Sequence, residues 1–346
     1  TAVGHLALSG LTEGAKNIAI GSYAGVNITT GDENVLIGRS SGNAFNSSDL
    51  VGVGTATLAS INDAAADGTV AVGYNALTSL TSGAFNTSVG YQSADALTVG
   101  KWNTVLGYGA LSQARGDSSN TAIGYFALNA ANVSASVIEN HNTAVGNGAG
   151  KTISDGYYNT IVGSNAGTGF DSNSHNTIMG YTAASAGHDA DGLVAIGSNV
   201  MTAVLTGDAD NSVGVGNGAL NALTEGIGTT GVGRSVLAVL QDGDHNTAVG
   251  FEAGKANVSS NSNTYMGYKA GLNATTPSNT MIGANAGEFA TSADQCTFIG
   301  AFAGQGVDAT KLSGNTNVAI GYNAGVNLRG AANANTFVGT GAGDGV

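Results

Sequence analysis

The sequence is poor in residues that commonly fix or steer a fold. Of 346 residues, one is Pro, one is Cys, and only 10% are charged. A single Pro excludes a collagen triple helix, which needs abundant Pro and Gly at every third position. A single Cys excludes a disulfide scaffold and leaves the redox compartment unread. No run of about 20 apolar residues is present, so no transmembrane helix and no membrane insertion are expected. A basic start followed by an apolar leader core is also lacking. The chain opens Thr1-Ala2-Val3-Gly4 and reads as the interior of a longer polypeptide. Basic residues are scarce: 10 Lys and Arg against 23 Asp and Glu give a net charge of −13. No basic stripe is available to neutralise phosphates, so nucleic acid is not an expected partner. The negative charge serves solubility.

Glycine is what the chain has in excess, 56 residues, together with 42% hydrophobic residues. Disorder is the usual reading of Gly-rich sequence, but here the apolar residues recur in register. A Gly that follows a short β-branched run occurs 20 times, from Gly4 through Gly21, Gly38 and Gly54 to Gly339. The commonest spacing is 17 residues, and the longest is 22, between Gly124 and Gly146. The consensus is Asn-Thr-x-Val/Ile-Gly-x-x-Ala-Gly/Leu followed by a polar turn, as in Asn103-Thr104-Val105-Leu106-Gly107. A helix is excluded, because Gly costs about 1 kcal/mol per helical residue relative to Ala and a period of 17 gives no heptad seam.

The columns of the repeat carry the physics. The residue before the Gly is aliphatic in all 20 copies, for example Val3, Ile20, Leu106 and Met179. Two residues earlier stands a β-branched residue, Thr in 13 copies and Val or Ile in the rest. These two positions share one face of a strand, because side chains alternate with period two. β-Branched residues suit such a pleated surface. Three residues after the Gly a small residue, usually Ala, opens a second strand or a corner. The Gly itself fits a bend that excludes a Cβ. The prediction is an all-β parallel solenoid or β-roll of about 20 coils with a 17-residue repeat. The whole of 1–346 reads as one continuous array, with its longest insertion at 129–141.

Asn recurs before the strand at Asn17, Asn34, Asn86, Asn103, Asn120, Asn142, Asn159, Asn176, Asn246, Asn263, Asn279, Asn317 and Asn335. Stacked amides satisfy one another between coils, so these residues are expected to form a structural ladder along one corner. The Thr column shares its face with aliphatic residues and is expected to point into the coil. The middle strand position, from Ala2 to Phe337, carries no charge in 20 copies. That face is expected to be covered by a neighbouring chain, because a 17-residue coil buries little against the entropy of ordering it. A homotrimer around a common axis would cover it.

The Asn-Thr-Ala-Val/Ile-Gly-x-x-Ala-Gly repeat resembles repeat regions of bacteriophage tail-fibre proteins, notably of phages infecting marine bacteria and cyanobacteria. It is also similar to the shorter Asn-Ser-x-Ala-Ile-Gly repeat of trimeric autotransporter adhesin heads. The resemblance covers essentially the whole chain. It implies a trimeric parallel β-roll and a role as a virion structural protein in host attachment. The repeat here is longer, 17 residues against about 14 in the adhesins, and carries insertions. The expected function is therefore the stiff shaft of an extracellular phage tail fibre. The partners would be further copies of the chain, with a host surface glycan or protein met through loops or a tip. A shaft or head of a bacterial cell-surface adhesin is the alternative.

Signals for chemistry are sparse. Of five His, His141, His175 and His245 directly precede the repeat's Asn. Around a threefold axis such a corner could gather imidazoles for a metal, though a surface turn is the plainer reading. The others are His5 and His188, and no His-x-His or His-Glu-x-x-His spacing occurs. Gly214-Val215-Gly216 and Gly231-Val232-Gly233 look like phosphate loops but are simply the repeat, without a basic helix behind them. Acidic turns such as Asp242-Gly243-Asp244 and Asp32-Glu33 read as solvated charges. Cys296 replaces an Asn of the ladder and reads as a small buried residue. Trp102 reads as an exposed aromatic that could contact carbohydrate. No cofactor is expected, and no paired carboxylates in a cleft point to a glycosidase or another enzyme. A function of another class, ice binding by ranked Thr, is disfavoured if the Thr point inward.

Overall fold

The computed structural model describes residues 1–43, 46–62, 64–130, 138–186, 189–205 and 209–345. These form two compact units, Thr1–His175 and Asn176–Val346. Each is a parallel β-solenoid built from the same repeat. In the first unit, ten repeat strands run from Ala2–Val3 to Thr160–Val162, with a further two-residue pair, Asp117–Ser118 and Ile138–Glu139, beside them. In the second, ten run from Thr177–Met179 to Thr336–Val338. All-β architecture is thus observed, and no α-helix occurs among the described residues. Register is strict: Thr87, Ser88 and Val89 pair with Thr104, Val105 and Leu106, and these pair in turn with Thr121, Ala122 and Ile123.

The repeat Gly fixes the spacing of the coils. Gly90 has φ +146°, a conformation L side chains rarely adopt. A Cβ there would overlap the carbonyl of Gly107 in the next coil. Positive φ recurs at every repeat Gly, and the overlap recurs where a further coil follows, as at Gly21, Gly73, Gly124 and Gly250; at the last, Gly339, φ alone favours Gly. After the Gly the chain turns a corner without forming a second regular strand. Residues two and four positions on take left-handed φ, as in Asn75 (+56°) and Leu77 (+51°). Their amides bond to neighbouring coils: Asn75 N–H donates to Thr55 O at 3.0 Å and Leu77 N–H to Ser93 O at 3.1 Å. Backbone donors at the corner are therefore satisfied between coils, as in a sheet.

One expectation is reversed. The middle strand residue points into the coil, and the Thr and aliphatic residues face outward. Ala19, Leu36, Val105, Ala122, Tyr265 and Phe298 are buried, while their strand neighbours are half-buried or exposed. The reason is packing space. A coil of this length has a narrow interior, closed by the Ala three residues after the Gly and by the residue six after the strand centre. Only one inward side chain per strand fits. The uncharged middle column is therefore the protein's own core and needs no second chain to cover it.

At the insertion 129–141, residues 131–137 lie outside the described set. Its flanks are tied down. Asn129 is buried and donates from Nδ2 to Gly109 O at 3.1 Å, and Ile138–Glu139 pairs in parallel with Asp117–Ser118.

Candidate surface and side-chain ladders

Three features run along the coils, and each follows from the repeat. The first is the Asn column. Asn34 donates from its backbone N–H and from Nδ2 to Asn17 Oδ1, both at 3.0 Å, and from Nδ2 to Ser47 O at 2.9 Å. Asn103 repeats this with Asn86 and Asp117 O. Asn120, Asn142 and Asn159 each donate a backbone N–H to the Asn before them at 3.0 Å. In the second unit the same N–H to Oδ1 bonds link Asn246, Asn263 and Asn279. Asn176 Oδ1 accepts from Leu193 N–H, and Asn317 Oδ1 from Asn335 N–H. All of these Asn are buried except the half-buried Asn335. Their side-chain oxygens accept backbone N–H groups of the next coil, and in Asn34, Asn103 and Asn159 the amide nitrogen donates both to a backbone carbonyl and to the preceding Asn.

Cys296 stands in this column. Its N–H donates to Asn279 Oδ1 at 3.0 Å, and its sulfur accepts from Asn317 N–H at 3.4 Å. Burial pushes the thiol pKa up, which favours the unreactive protonated form.

The second feature is the corner residue just before each Asn, where φ is left-handed: Trp102 (+60°), His141 (+51°), Tyr158 (+57°), His175 (+63°) and His245 (+54°). Among the described residues, the ring contacts of His5, His141 and His175 are to Tyr and not to another imidazole. Tyr158 stands between His141 and His175, with ring centroids 5.3 Å from one and 5.4 Å from the other. Glu139 lies 3.6 Å from His141 Nε2. His245 belongs to the second unit, and His188 lies outside the described residues. Among the described residues no group of three or more His, Cys, Asp or Glu could hold a metal ion. Trp102 is exposed, with the Lys101 ammonium 3.9 Å from its ring centre. The acidic turns have structural partners: Asp244 Oδ1 accepts from Ile227 N–H at 3.0 Å, Asp32 Oδ1 from Ala15 N–H at 2.6 Å, and Glu33 pairs with Lys16.

The third feature is the outer strand face. Its two columns, Thr or Val/Ile and then an aliphatic residue, contain no charge in 20 copies. None of these 40 positions is buried in the isolated chain. Leu106 is 48% exposed, Met179 43% and Met266 41%. An outward, uncharged face of this kind within each unit is unusual on an isolated soluble protein. Beside it, Tyr74, Tyr91, Tyr108 and Tyr125 follow the repeat Gly in four consecutive coils of the first unit and stack on one another.

No helix among the described residues is long and apolar enough to cross a membrane. Comparison with known proteins adds no family: no family model matches the chain, and no curated protein matches it in sequence.

Proposed function

We propose that the chain is the shaft of a homotrimeric fibre, an extracellular spacer of the kind found in phage tail fibres. One observation carries the reading: an exposed, uncharged Thr–aliphatic face repeated in every coil. Burying apolar area is the main driving force for association, at about 25 cal/mol per Å². The face repeats once per coil, at about 4.8 Å. A second copy of the chain carries the same period and meets it rung for rung along its length, which an unrelated globular surface does not do. Three copies around an axis leave no face unpaired and close the assembly. The mechanism is mechanical. Stacked coils locked by backbone and Asn ladders resist bending and hold a receptor-binding part at a distance. A bacterial surface adhesin shaft is the same physical object on a different particle.

Light scattering tests this reading directly. The expected mass is three chains. A Leu106→Glu, Ile123→Glu pair places six carboxylates in the seam and should yield single chains with an unchanged circular dichroism spectrum. A single-chain mass for the wild-type protein overturns the fibre reading.

A second reading gains from the outward orientation of the Thr column. Thr104, Thr121, Thr143, Thr160 and their equivalents form a rank on an exposed face, as ice binding requires. The alternating Val, Leu, Ile and Met beside them make that face uneven. Thermal hysteresis at millimolar protein, lost in Thr104→Leu and Thr121→Leu, would favour this reading over the shaft.

A further inference from the structure

The four-tyrosine stack of the first unit is not explained by the repeat. The position after the repeat Gly accepts Ser22, Thr55, Asn147 and Ser164 elsewhere in the same unit. A Tyr there is therefore not needed for the coil to form. In Tyr74, Tyr91, Tyr108 and Tyr125 the successive ring centroids lie 5.0, 5.3 and 5.4 Å apart, with interplanar angles of 18°, 4° and 17°. Among the described residues, the second unit has one stacked pair in this column, Phe251 with Tyr268. The end of the four-ring stack is braced by Phe126, edge-on to Tyr108 and Tyr125 at 5.3 and 4.5 Å. A Cβ on Gly109 would overlap the Phe126 ring, so the brace depends on a glycine as well.

We propose that this ladder binds a neutral, extended, β-linked glycan lying along the direction of coil stacking. The inference goes beyond the fibre reading and stands on the first unit alone. Rings stacked face to face turn their edges outward, and each Tyr is 44–51% exposed. An aromatic edge is the positive side of the ring quadrupole, and each phenol both donates and accepts a hydrogen bond. Such a row suits a polymer rich in hydroxyl oxygens. The period matches as well, because a β-linked pyranose chain advances per sugar by nearly the spacing of the rings. One sugar then meets one rung. Charge narrows the ligand further. The chain carries −13, none of the four rungs is cationic, and the Lys151 ammonium at the brace lies 5.5 Å from the Phe126 ring centre, so a neutral glycan is favoured over a polyanion. Stacking has already ordered the side chains, so little rotamer entropy remains to be lost on binding.

Isothermal titration of the whole chain with cello-oligosaccharides and chito-oligosaccharides tests the proposal. Affinity should rise at least tenfold from disaccharide to tetrasaccharide and level off beyond it, because the ladder has four rungs. Tyr91→Ala with Tyr108→Ala should abolish binding. Tyr91→Phe with Tyr108→Phe keeps the stack but loses the hydroxyls, and should weaken binding about tenfold. Retention of the circular dichroism spectrum shows that each variant is folded. No binding of either series at millimolar concentration, or equal binding by wild type and the Ala pair, overturns the ladder as a glycan site. The oligomeric mass, measured separately, decides the fibre reading. A trimer that ignores both glycans removes only the ladder, and a monomer that binds them removes only the fibre.

Discussion

Two stretches of the second unit fill the same interior in opposite ways. In strands Val213–Val215 and Thr230–Val232 the inward residues are Gly214 and Gly231, and Leu220 and Leu237 enter from the opposite wall. In strands Thr264–Met266, Thr280–Ile282 and Thr297–Ile299 the inward residues are Tyr265, Met281 and Phe298. There the opposite wall carries Gly271, Gly287 and Gly304, and a Cβ on any of them would overlap the facing side chain. Coil spacing and circumference are set by hydrogen bonds between neighbours, so the interior volume is nearly constant. In these coils two positions six residues apart share it, as close packing requires. The two solutions differ in backbone cost. The wall position is left-handed in both, at φ +49° for Leu220 and +58° for Gly271. A left-handed Leu costs about 1–2 kcal/mol that a Gly avoids.

The sharpest way to break this comparison is to mix the two solutions in one coil. Tyr265→Gly leaves both positions empty and should cost about 3–5 kcal/mol through the cavity. Gly271→Leu keeps the ring and adds a side chain against it, with left-handed strain and overpacking together costing about 2–5 kcal/mol. The double variant converts the coil into the Gly231–Leu237 arrangement. It should be less destabilised than the two single changes added together, by about 0.5–3 kcal/mol of coupling. Hydrogen exchange of the amides in coils 247–283 measures this locally, since an array of repeats need not unfold in one step. Simple additivity would show that the two positions do not share one volume.

That pairing was legible in the sequence, because large and small residues alternate between Tyr265/Gly271 and Gly231/Leu237. So were the period, the strands and the bend at each Gly, since β-branched residues and positive φ leave strong traces. The direction of the strand faces was not legible from composition. An outward face made only of Thr, Val, Ile, Leu and Met looks like a core. An inward column that ranges from Gly to Tyr looks like a variable surface. The size pairing is the signal that separates them, because only residues packed against each other compensate in volume. The Tyr stack was visible as a column at Tyr74, Tyr91, Tyr108 and Tyr125, but its geometry depends on coil spacing. Trp102, the sequence's most conspicuous aromatic, belongs to a different corner.

A gentler change sharpens the contrast inside the bulky coils. The Tyr265 side chain is fully buried, and its hydroxyl has no hydrogen-bond partner. Burial accordingly pushes its pKa up. Met281 and Phe298 fill equivalent places without a polar atom. Tyr265→Phe removes the unsatisfied group and leaves the ring, and should raise stability by about 1–3 kcal/mol. Urea unfolding monitored by circular dichroism reads the change. A loss of stability would mean that the hydroxyl is satisfied by a bound water.

The smallest expected effect lies in the first unit and is read by pH. Asp95 sits beside a small-residue interior, where Ser88 and Ser93 share a hydrogen bond at 2.7 Å. Burial raises its pKa, against the opposing pull of its own and the Ala96 backbone N–H groups. A carboxyl with a folded pKa above its unfolded value holds its proton more tightly when folded. Its contribution to stability is therefore present below the unfolded pKa and lost as pH rises through the folded pKa. At neutral pH the ionised group is a net cost, and Asp95→Asn should stabilise the unit slightly. The gain should shrink to nothing as pH falls below the ordinary carboxylate range. Melting curves of both proteins from pH 3 to pH 7 would show a difference that opens with rising pH. A constant difference would mean that the substitution acts through packing and that the charge of Asp95 is already well solvated.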